Sequence, residues 1–161
     1  MKIRFDFVTN SSSSSFILGF TSIDKIDAEI DGYKTGSIDD NYLRIIKNDV
    51  RRAESFGRRQ ALKMCCEDIK ERAYQFLEDA FKFKNISVSV ISGNIISEQR
   101  LDMDYLASIL IESEMKKIKK KVSKYSYFVE VEYDDDSAID EALQYEIVPR
   151  LGCCIKRFNH H

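Results

Sequence analysis

A chain of 161 residues, 43% hydrophobic and 32% charged, has the length and composition of one ordered globular domain, and a disordered chain is excluded. Its net charge of −2 excludes a generally basic binder, so no specific nucleic-acid partner is expected. No apolar stretch approaches the ~20 residues of a membrane span, and Arg4 and Asp6 interrupt the N-terminus where a signal core would lie, which predicts a cytoplasmic protein without a membrane partner.

Taken in chain order, Ile3, Phe5 and Phe7 alternate with polar residues and predict a strand over 2–8. Five serines, Ser11 to Ser15, follow, and Phe16, Leu18 and Phe20 resume the alternation in a second strand over 16–21. Ser37-Ile38-Asp39-Asp40 resembles a capping box, and Ile38, Tyr42, Ile45, Ile46, Val50 and Ala53 carry a helix to Phe56. Gly57 breaks the pattern, and a second helix runs over 58–82. Without that break one helix would span ~68 Å, too long for a domain of this size.

Ile86, Val88 and Val90 predict a third strand over 85–91, closed by the turn residues Ser92-Gly93-Asn94. A third long helix covers 98–124. Its apolar stripe moves from Tyr105, Leu106 and Ile109 to Ile111, Met115, Ile118 and Val122, so its two halves are expected to bury different faces. Tyr125, Tyr127, Val129, Val131 and Tyr133 share one face of a fourth strand. Ser137-Ala138-Ile139-Asp140 is another capping box and opens a short helix over 138–148, ended near Pro149 and Gly152. Residues 153–159 make a fifth strand.

The expected fold is therefore a single α+β domain, 1–161, of α/β-like order ββ-αα-β-α-β-α-β. It would hold one mixed five-stranded sheet with helices packed on it and parallel crossovers between strands three, four and five.

Sites in open α/β sheets gather beyond the carboxyl ends of parallel strands. An antiparallel helix pair between strands two and three would bring the serine run to the same edge as Asp134-Asp135-Asp136 and Asn159-His160-His161. Asn10, Ser11, Ser12, Ser13, Ser14 and Ser15 are then expected to form an ordered turn, within roughly 10 Å of Asp134, Asp136 and His160. Hydroxyls and closely spaced N–H groups can cradle an anion, and His160 and His161, the only histidines, are the available bases. The plain alternative is a flexible serine turn, a solvated acidic cap and a mobile terminus. No catalytic residue is assigned, no metal site matches a known ligand spacing, and no cofactor is implied.

Cys65-Cys66 and Cys153-Cys154 are adjacent pairs, not a zinc spacing, and are expected to be reduced thiols. Lys116, Lys117, Lys119, Lys120, Lys121 and Lys124 complement the negative end of a helix dipole, and Arg51, Arg52, Arg58 and Arg59 flank the Gly57 break.

The opening Arg4-x-Phe-x-Val, then Thr9-Asn10-Ser11-Ser12-Ser13-Ser14-Ser15-Phe16, resembles a short N-terminal signature, FV-[ST]-N-SSSSSF, of otherwise diverse uncharacterised bacterial and phage proteins. The resemblance covers about the first 18 residues, and Arg157-Phe158-Asn159-His160-His161 is similar to the end of the same group. It implies a bacterial or phage source and a functional reason for the serines, and it carries no activity. Two readings follow. One is a protein that binds a small anionic or phosphate ligand through the serine loop beside the acidic and histidine segments. The other is a non-catalytic protein-interaction module, such as an accessory protein of a phage or mobile element.

Overall fold

The alternation of Phe16, Leu18 and Phe20 with polar or small neighbours does form a strand, but that strand starts earlier than the alternation. Strand β1 runs Ser13–Phe20 and takes in the last three serines. The structure, a computed structural model, describes residues 12–32, 38–84 and 95–160. These residues fall in two compact units, one built from residues up to Ala61 and from Val122 onward, the other from Leu62–Lys121.

In the first unit β1 is joined by β2 (Ser55–Phe56), β3 (Tyr127–Tyr133) and β4 (Cys154–His160) in an open sheet of order β2-β3-β1-β4. Every neighbouring pair in it is antiparallel. Among the described residues the sheet is four-stranded and antiparallel, which corrects the expected parallel pairing of the fourth and fifth strands, β3 and β4. β3 and β4 do point the same way and are joined by a helical segment, but β1 lies between them and pairs with both, so no parallel ladder forms. Strand adjacency of this kind is set by burial across the whole chain and leaves no local mark in the sequence. The strands expected over 2–8 and 85–91 lie outside the described residues.

One face of the sheet carries the core. Phe16, Leu18 and Phe20 of β1 and Val129, Val131 and Tyr133 of β3 cluster with residues of two helices, α1 (Ile26–Asp31) and α2 (Asp40–Arg52). Leu143, Ile147 and Val148 of the β3–β4 connection complete the layer. Helix α2 is capped by Asp39, whose side chain accepts from the Asn41 N–H at 3.0 Å, and it buries Leu43, Ile46 and Val50 at helical spacing. The expected cap, Ser37, lies outside the described residues. Sequence reading also missed α1, although Ile26 and Ile30, four residues apart, supply its buried side.

On the opposite face the backbone comes close to two rings. A Cβ on Gly19 would stand 2.8 Å from the Tyr125 ring and 3.1 Å from that of Phe128, so only glycine fits there.

The second unit consists of most of α3 (Arg58–Lys84) and α4 (Ile95–Val122). Cys65, Ile69, Ala73 and Leu77 recur four residues apart as the buried side of α3. The Tyr74 hydroxyl donates to Asp104 Oδ1 at 3.1 Å and ties α3 to α4.

Candidate functional site

Three serines of the run have different surroundings, and the strand geometry explains why. Ser14 continues the face of Phe16 and Leu18, opposite Tyr133 on β3 and Asn159 on β4. Its Oγ accepts from Gln144 Nε2 at 3.0 Å and from Arg157 Nε at 3.1 Å, and donates to Asn159 Oδ1 at 3.1 Å. A hydroxyl offers one donor and two acceptor positions, so Ser14 is fully used inside the protein. Ser15 points to the other face, is buried, and meets His160 Nε2 at 2.9 Å as a diagonal cross-strand pair. Ser12, just before the strand, contacts the Tyr145 hydroxyl at 2.7 Å and donates weakly to Asp135 Oδ2 at 3.4 Å. The turn expected at the serines therefore gives way to a strand for Ser13 to Ser15, because the neighbouring ladders take up their backbone groups.

Gln144 and Tyr145 come from the connection between β3 and β4. There α5 (Ala138–Ala142), capped by Ser137, runs into a π turn over Leu143–Ile147 and a 3-10 turn over Val148–Arg150. Ser137 Oγ accepts from the Asp140 N–H at 3.0 Å and donates to Asp140 Oδ2 at 2.8 Å, as its capping spacing predicts. The helix expected over 138–148 is thus only partly α, and the wider π turn brings Gln144 toward β1. Gln144 is fully buried, and its Nε2 also donates to the Ser12 carbonyl at 2.9 Å. That carbonyl can only accept, which fixes the amide orientation. Arg157 lies with its guanidinium 4.9 Å from the Tyr145 ring and 5.7 Å from that of Phe16, stacked between strand and π turn.

Acidic residues border this end of the sheet. Asp134 Oδ1 accepts from the Asp136 N–H at 3.0 Å in a local turn. The Asp136 carboxyl is raised above its ordinary range, chiefly by Asp134 and to a smaller extent by burial and Asp135. Tyr133 donates to Asp49 Oδ2 at 3.0 Å, and burial first, then Asp49, pushes its phenol well above the usual value.

Of the residues singled out in the sequence, Ser12, Ser14, Ser15, Asp135 and His160 are thus drawn to one end of β1, with Asp134 and Asp136 beside it. Asn10, Ser11 and His161 lie outside the described residues. Sequence reading missed Gln144, Tyr145, Arg157 and Asn159 as members of this cluster. Arg157 and Asn159 alternate on β4 and could have been found from that period, whereas nothing in a helical pattern marks a π turn.

The Ser15–His160 distance is that of a nucleophile and its base, but the surroundings are not catalytic. Ser15 is buried in the middle of a sheet, and the β1 amides that could stabilise an oxyanion belong to the two ladders. Among the described residues no group of three His, Cys, Asp or Glu side chains could hold a metal ion. The four cysteines are free thiols, and burial, reinforced by Cys154, pushes that of Cys153 up to about 12. Arg51 pairs with Asp27, and Arg58 donates to the carbonyls of Ser123 and Tyr125, so these two arginines serve the fold.

A second surface differs in kind. On α4, Ala107 and Ile118 are buried and Met103, Ile111 and Met115 half-buried, forming one stripe. Tyr105, Leu106, Ile109 and Leu110 lie on the roughly opposite side at 3.6 residues per turn and are exposed, Tyr105 by 67%. The expectation that the two halves of α4 bury different faces is corrected: Met103 and Ala107 share the covered side of Ile111, Met115 and Ile118, and the first stripe, Tyr105, Leu106 and Ile109, is exposed. Among the described residues no helix is long and apolar enough to cross a membrane. No family model, curated protein or solved structure matches the chain.

Proposed function

We propose that the chain is a non-catalytic protein-interaction module that docks through the outer face of α4. The observation that carries this reading is the exposure of Tyr105, Leu106, Ile109 and Leu110 on adjacent turns, opposite the helix's own buried stripe. Large apolar patches on a soluble surface mark interaction sites, and an aromatic residue with three aliphatic neighbours suits a binding centre. The serine end supports the same reading from the other side, since its hydroxyls are engaged by the protein's own Gln144, Asn159 and His160. A cytoplasmic location and a bacterial or phage source accompany the proposal, the latter resting on the N-terminal serine signature. A photo-crosslinker placed at position 109 in living cells tests it. Discrete protein adducts are expected there and not from the same group at exposed Lys63; an adduct pattern equal at both positions rejects the module.

A small anionic ligand at the serine end is the second reading. The exposed hydroxyls of Ser12 and Tyr145 beside the Arg157 guanidinium favour it. The acidic run opposes it, because Asp134 and, to a smaller extent, Asp135 already raise the carboxyl of Asp136. Calorimetric titration with inorganic phosphate decides: binding tighter than about 1 mM, lost in Ser12→Ala, would put this reading first.

A further inference from the structure

We draw no further inference here: the strongest candidate, the exposed apolar patch of Tyr105, Leu106, Ile109 and Leu110 on the outer face of α4, already carries the interaction reading above, and nothing in the structure shows what covers it.

Discussion

The serine end of β1 and the outer face of α4 are opposites. At the first, an unusual string of residues turns out to be structurally ordinary, with Ser14 meeting Gln144, Arg157 and Asn159 and Ser15 meeting His160. At the second, a run of residues that looks like common helix core leaves four large apolar side chains facing outward. Oddity of sequence and availability for function are thus separate properties. A hydroxyl whose donor and acceptor positions are all filled has nothing left for a ligand, whereas an apolar side chain in water still has its burial free energy to gain.

The contrast breaks if the serines can be removed freely. Ser14→Ala removes the acceptor of half-buried Arg157 Nε and one of the two acceptors of the buried Gln144 amide, and is expected to cost about 2 kcal/mol, read from urea unfolding. An alanine series over Ser12, Ser13 and Ser14 therefore cannot leave stability nearly unchanged, as a loop reading of the run requires. Ser12→Ala alone, at a half-buried position, should cost less than about 1 kcal/mol, and equal costs at 12 and 14 would reject the assigned strand register.

Gly19→Ala probes the other face of the same strand. Its Cβ would meet the Tyr125 and Phe128 rings, and about 2 kcal/mol of destabilisation is expected in the same unfolding assay. A neutral result would mean those rings are not packed on β1.

Tyr133→Phe removes a hydrogen bond to Asp49 for about 1 kcal/mol at neutral pH. A phenol held above its ordinary value near 10 keeps its proton in the folded chain after the unfolded chain has lost it. Its contribution is full below about pH 10 and declines above it, so the variant should show a shallower alkaline loss of stability. Cys153, buried and pushed up to about 12, adds to that loss from about pH 9 in both proteins. Parallel curves for wild type and variant would contradict the buried Tyr133–Asp49 pair.

The smallest effect belongs to α4. Tyr105→Gln should change monomer stability by less than about 0.5 kcal/mol, measured at 1 μM, since Tyr105 is largely exposed and glutamine keeps the helix. A cost of several kcal/mol would mean that the outer face is covered within a single chain.

What could be read in advance follows the range of the forces involved. The strands around Phe16, Val129 and Ile155 and the long helices show in their own periods, because side-chain direction is a local property. On α4 the apolar positions showed as a stripe that moved, but not which of them is covered: Tyr105, Leu106 and Ile109, expected to be buried, are exposed. Serines as strand residues were not legible. Serine favours turns by its local chemistry, and here that preference is overridden by Gln144, Asn159 and His160, side chains that only the finished fold supplies. The antiparallel sheet was missed likewise, since β1 enters between β3 and β4 from far away in the chain.

That placement sets a timetable for folding. Ser15 must wait for His160, 145 residues later, and the Ser12 carbonyl for Gln144, 132 residues later. At a synthesis rate of about 5–20 residues per second, β1 is made roughly 6 to 23 seconds before β3 arrives to cover its first edge. Phe16, Ile17, Leu18 and Phe20 in such a strand are a segment that could pair with another nascent chain, and contacts this distant close slowly. The polar residues ahead of them interrupt the apolar run at the end where such pairing would spread, in the manner of gatekeepers that guard a strand until its partners arrive.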